Sequence, residues 1–178
     1  MKNIRRLFAT FSAVAVMSGL FGSPAAQAVD GKLYPGSSCV RFAGSTAVLP
    51  ALSVSRLFNP ATTVLRLDCP VVHDSINFSI QSGYVDVIDQ NFAGDALNDA
   101  NTQVCAELVS ASQALSSVIT FRSTGRRCTT GASSVSKRLS FGGLAANGNA
   151  HYYYSVSIPP TFNGLQSAII AYRVDENE

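Results

Sequence analysis

Two histidines, a run of aspartates and asparagines, three consecutive tyrosines and the Arg126-Arg127 pair are the residues of this chain best suited to chemistry. His73 is followed by Asp74, and His151 opens the run His151-Tyr152-Tyr153-Tyr154. With one of the many serines, either histidine could act as the base of a nucleophilic site, which needs a serine within hydrogen-bond reach of a base held by a third group. The Gly-x-Ser-x-Gly elbow is missing, and so are His-Glu-x-x-His, the P-loop and Gly-x-Gly-x-x-Gly. No catalytic set assembles, so the main expectation is a non-catalytic binding or structural module. A secreted hydrolase with an unrecognised site is an alternative.

The acidic stretch contains Asp86, Asp89, Asn91, Asp95, Asn98 and Asp99. Oxygen-rich loops of this kind can hold calcium. Asp89-x-Asn91-x-x-Gly94 resembles the opening of an EF-hand loop, but Ala93 and Ala100 stand where further ligands belong. Asp89, Asn91, Asp95 and Asp99 are therefore the calcium candidates. The competing reading is a solvated loop in which Asp and Asn favour turns. No cofactor is expected.

Tyr152, Tyr153 and Tyr154 suggest a sugar-stacking surface, which makes a carbohydrate-binding module the other alternative. On a strand, Tyr153 faces away from its two neighbours, so one tyrosine is left for a ligand and two for the core. The chain has no tryptophan. Arg126-Arg127, beside Cys128, reads as a solvated loop tip or as a grip for an anion. Asn77-Phe78-Ser79 matches an N-glycosylation sequon and is read as coincidence.

The elements that must position these residues are strands. From Thr62 to Cys69, Thr63, Leu65, Leu67 and Cys69 alternate with Val64, Arg66 and Asp68, and Pro70 is expected to end the strand. Val85 and Val87 share one face of residues 84–89. Val104, Ala106 and Leu108 share one face of residues 103–109. Tyr152, Tyr154, Val156 and Ile158 share one face of residues 151–158. Further strands are expected at 38–42, 52–58, 117–123, 135–141 and 165–174. Lys137 marks the strand at 135–141 as an edge. Residues 29–37 read as an extended lead-in, 110–115 as loop, and Asp175 to Glu178 as a solvated tail. Eight or nine short strands without a long helical period predict an all-β fold, an antiparallel, jelly-roll-like β-sandwich.

The first 28 residues stand apart. Lys2, Arg5 and Arg6 precede an uncharged apolar run, Pro24, and the small-x-small site Ala26-Gln27-Ala28. This predicts a signal peptide cleaved between Ala28 and Val29, one β-sandwich domain over 29–178, and a secreted or periplasmic protein. The whole chain carries 13 Lys and Arg against 11 Asp and Glu. Three of the basic residues lie in the leader, which leaves ten against eleven and a net charge of −1. That balance argues against a nucleic-acid partner, and no second apolar run approaches the ~20 residues of a membrane span. An extracellular polysaccharide or protein remains as partner.

Cys39, Cys69, Cys105 and Cys128 are an even set in an exported chain, at spacings of 30, 36 and 23. No close Cys or His pair of the zinc type exists, so two disulfides are expected. Four cysteines allow three pairings. The sequential one, Cys39–Cys69 and Cys105–Cys128, closes the shortest loops and is preferred.

With these residues in view, the chain resembles a group of small secreted bacterial proteins of unassigned function, common in myxobacteria and other proteobacteria. The shared pattern is Tyr34-x-Gly36-x-x-Cys39, Asn59, Val64 to Cys69-Pro70, Val85-x-Val87-x-Asp89, Val104-Cys105-x-x-Leu108, and Tyr153-Tyr154 running to Ile158-Pro159. In that group the late Tyr-Tyr strand often carries the fourth cysteine. Here Ser155 and Ser157 occupy that strand, and Cys128 lies earlier. The resemblance implies a secreted β-sandwich and no activity.

Overall fold

Strict alternation along residues 65–71 puts Leu65, Leu67, Cys69 and Val71 inside and Arg66 and Pro70 outside. In the computed structural model, which describes residues 30–42, 50–74, 79–93, 99–113, 119–147 and 149–176, that alternation organises two antiparallel sheets packed face to face. The strands are β1 (Asp30–Pro35), β2 (Val40–Arg41), β3 (Ala51–Ser53), β4 (Arg56–Phe58), β5 (Leu65–Val71), β6 (Ile80–Asp89), β7 (Cys105–Gln113), β8 (Ile119–Ser123), β9 (Arg127–Cys128), β10 (Ser133–Phe141), β11 (Ala150–Ile158) and β12 (Ala168–Glu176). Sheet I has the order β10-β6-β12-β4-β3, with β1 also paired to β12. Sheet II has the order β2-β5-β11-β7-β8, with β9 also paired to β7. The leader, its cleavage site Ala28/Val29, Asp95 and Asn77 lie outside the described residues.

The core lies between the sheets. Sheet II contributes Leu65, Leu67, Leu108, Tyr154, Val156 and Ile158, all almost fully buried. Sheet I contributes Val85, Val87, Ile169, Tyr172 and Val174. Ile169 and Tyr172 are three residues apart, which plain alternation would send to opposite faces. A register shift between Ile169 and Ala171 resets the phase and returns both to the core. The two disulfides join Cys39 to Cys69 and Cys105 to Cys128, each between neighbouring strand segments, with Cα atoms 4.0 Å apart.

One end of the sandwich is closed by buried polar groups. Asn59 donates through Nδ2 to the carbonyls of Thr63, Ile158 and Pro159, while its Oδ1 accepts from Ala61 N–H. Asp89, 1 % exposed, accepts from the Thr129 hydroxyl, from Val104 and Asn91 N–H, and from Ser167 Oγ. These bonds satisfy groups that burial would otherwise leave expensively unpaired.

Several elements differ from the expectation. Pro70 does not end its strand, since β5 continues to Val71 and Pro70 pairs with Tyr153 on β11. Pro70 lies past the residues paired with β2, whose partners are Leu67 and Asp68, so its missing N–H is not needed on that side. Residues 52–58 form the β3–β4 hairpin instead of one strand, turning at the fully exposed Val54 with φ 57°. Residues 110–113 belong to β7 and not to a loop, because β8 and β11 pair with them from both sides. The lead-in is a strand paired with the end of β12. Glu176, expected in a solvated tail, is 1 % exposed and meets Lys32 at 3.0 Å.

Candidate functional site

The sequence candidates scatter. His73 stacks on Tyr152, with centroids 4.4 Å apart and rings 14° from parallel. His151 is exposed on β11. Among the described residues neither histidine hydrogen-bonds to a serine or a carboxylate, so these residues assemble no triad. Of the calcium candidates, Asp89 is the buried hub described above. Asn91 is also buried and donates to the Asn101 and Pro160 carbonyls. Asp99 accepts from Asn101 through both backbone and side chain. Among the described residues no group of three or more His, Cys, Asp or Glu could hold a metal ion.

The tyrosines divide as alternation requires. Tyr152 and Tyr154 are buried, and Tyr153 stands half-buried on the outer face of sheet II. Strand register places that face's side chains in rows across β5, β11 and β7. The first row is Arg66, Ser157 and Cys105. The next is Asp68, Ser155 and Glu107, followed by Pro70, Tyr153 and Val109. Beyond Tyr153 lie His151, Ala111 and, on β8, Phe121. From Ser157 to His151 the rows cover about 20 Å along β11.

Arg126 enters this face from the segment between β8 and β9, and its Nη2 donates to Ser157 Oγ at 3.2 Å. Arg66, Glu107, Arg126, Ser155 and Ser157 line an open depression of about 330 Å³. A second, of about 220 Å³, lies on the other side of Tyr153 and includes Ala111, Ile119 and His151. Glu107 Oε2 accepts from Ser123 Oγ at 2.8 Å. Burial holds the Tyr153 hydroxyl above its usual pKa, and the carboxylates of Asp68 and Glu107 add to the rise. Burial alone raises the Asp68 carboxyl.

The outer face of sheet I differs in kind. Arg138 forms a two-pronged pair with Asp86, both contacts 2.8 Å, and lies 3.6 Å from the centre of the Tyr84 ring. Arg173 pairs with Asp175 at 2.7 Å. Its charges neutralise each other, whereas among the described residues Arg66, Asp68, Glu107 and Arg126 of sheet II form no ion pair. Reasoning from sequence passed over Arg66, Asp68, Glu107, Ser155 and Ser157 as site residues. Their signal was present, since each is a polar position alternating with core residues in a strand.

No family model matches the chain, and no curated protein matches its sequence. Solved structures do. The CBM22-1 xylan-binding domain from Paenibacillus barcinonensis Xyn10C aligns with a TM-score of 0.50 at 11% identity, over 86% of this chain and 99% of that one. A low-affinity xylan-binding module, CBM86, from Roseburia intestinalis aligns with a TM-score of 0.46 at 6% identity, over 82% and 95%. At such identities the likeness is one of fold.

Proposed function

We propose that this chain is a non-catalytic carbohydrate-binding module that receives a polysaccharide across the outer face of sheet II. The carrying observation is the set of side chains around Tyr153 whose charges have no ion-pair partner among the described residues. The carboxylates of Asp68 and Glu107 can accept from sugar hydroxyls, while Ser155, Ser157 and the arginines can donate to sugar oxygens. Tyr153 supplies a flat apolar surface with a polar tip for the face of a sugar ring. An open track fits a polymer better than a small metabolite, which calls for an enclosed pocket. The solved structure with the 0.50 TM-score is named for binding xylan, so xylans are the first polymers to test. The reading includes export, with residues 1–28 removed and the disulfides formed outside the reducing cytosol.

Affinity electrophoresis through gels containing xylan, mannan or β-glucan tests the proposal. At least one polymer should retard the protein, and Tyr153→Ala should abolish the retardation with its melting temperature unchanged. Migration unaffected by every polymer, or a Tyr153→Ala variant retarded like the parent, would overturn it.

A further inference from the structure

We infer that the recognised polysaccharide bears carboxylate groups, as on a uronic acid side unit, and that Arg66 and Arg126 grip one of them above Ser157. The inference rests on the carbohydrate-binding reading and names the ligand class of the same face. Arg66 sits directly opposite Ser157 across the β5–β11 ladder, where facing side chains are near neighbours. Arg126 reaches Ser157 Oγ from the other side at 3.2 Å. Arg66 and Arg126 both line the same depression. Two cations that line one depression around a neutral hydroxyl repel each other unless an anion lies between them. Among the described residues neither has an acidic partner. Glu107, which also lines the depression, lies one row away and is engaged by Ser123 Oγ.

The planar fork of arginine matches a carboxylate with two parallel hydrogen bonds. The next row then suits the same ligand, because Asp68, Ser155 and Glu107 can accept from the neighbouring hydroxyls of an acidic sugar chain. The row order, a cationic row beside an anionic one, also predicts one orientation of the polymer. Neutral sugars alone would leave both arginines without a charged partner.

Titration calorimetry with a glucuronic-acid-bearing xylan, and with the same polymer after its carboxyl groups are reduced to alcohols, separates the claims. The parent protein should bind the acidic polymer about tenfold more tightly than the reduced one, the scale of one charge-assisted contact. Arg66→Ala and Arg126→Ala should each remove that difference by weakening the acidic polymer more than the reduced one, with the melting temperature unchanged. Salt should weaken only the acidic polymer's binding to the parent. If both polymers bind the parent alike, or the arginine variants keep the preference, the carboxylate grip is wrong. Loss of both polymers in Tyr153→Ala would then leave the carbohydrate reading standing. If neither polymer binds at all, the grip falls, and the carbohydrate reading falls with it only when mannan and β-glucan also fail to retard the protein.

Discussion

Asp68 shows at the scale of one residue what separates a group proposed to bind ligand from a structural one. It is half-buried without an ion-pair partner among the described residues, and burial raises its carboxyl pKa above the usual 3.8. A folded value above the unfolded one means the group's favourable contribution is full below pH 3.8 and lost as pH rises through the folded value. At neutral pH the charge therefore opposes folding. Asp68→Asn should raise the melting temperature by about 1 °C yet weaken polysaccharide binding, and a calorimetric scan beside an affinity gel reads both. Asp89 is the opposite case. Its carboxylate satisfies the Thr129 and Ser167 hydroxyls and the N–H groups of Val104 and Asn91 in a buried site. Asp89→Ala strands several donors at once and should cost about 3 kcal/mol or more in urea unfolding. Added calcium should restore none of it, because in the fold this carboxylate is already committed to neighbours.

At the scale of elements, the period of two was legible wherever a strand has one apolar face. It located β5, β7, β11 and the core residues they carry. It also sorted Tyr153 from Tyr152 and Tyr154. What alternation omits is which strands are neighbours. Arg66, Glu107 and Arg126 are far apart in sequence and meet only because β11 lies between β5 and β7 and offers Ser155 and Ser157 to both. Polar residues paired on both sides were misread for the same reason: Ser110 to Gln113 look like loop until β8 and β11 flank them. Glu176 looked solvated until β1 brought Lys32 beside it. The disulfides belong to this scale too. Removing either should cost about 3–4 kcal/mol in the loop-entropy account, but the consequences for binding should differ. Cys39–Cys69 is buried on the core side, so replacing both with Ala should lower stability and leave affinity intact. Cys105–Cys128 holds β9 against β7, two residues from Arg126. Replacing that pair should lower affinity as well. Denaturant titrations alongside binding isotherms for the two double variants check both statements, and equal losses of affinity would contradict the assignment.

Across the whole molecule, two tyrosines tie the sheets together in opposite directions. Tyr154 on β11 of sheet II donates to the Arg173 carbonyl on β12 of sheet I at 2.8 Å. Tyr172 on β12 donates to the Pro70 carbonyl on β5 at 2.9 Å. Their rings meet edge-on, 5.8 Å apart. Gly83 makes room for the first bond, since a Cβ there would lie 2.0 Å from the Tyr154 hydroxyl oxygen and 2.8 Å from the Arg173 carbonyl. Burial drives both phenols above their usual pKa of 10.0. Asp175 and Tyr84 add to the shift at Tyr154, and Tyr34 adds to it at Tyr172. Folded values above the unfolded one mean that this stabilisation is fully present below pH 10 and is lost as pH rises from 10 through the folded values. Lys32 acts in the same sense. Burial lowers its pKa, but the hydrogen bonds and charges of Asp74 and Glu176 outweigh that and raise it. Unfolding free energy should therefore be insensitive to these three groups from pH 7 to 9 and fall above pH 10. Each tyrosine that stays protonated only in the fold contributes up to about 1.4 kcal/mol per pH unit. Tyr154→Phe and Tyr172→Phe should each cost about 1 kcal/mol at pH 7 and each make the alkaline fall shallower, with the double variant keeping only the slope that Lys32 and the remaining groups supply. Urea titrations at pH 8, 10 and 11 on the four proteins decide it: parallel curves for parent and variants would mean that the two hydroxyls do not couple the sheets to protonation.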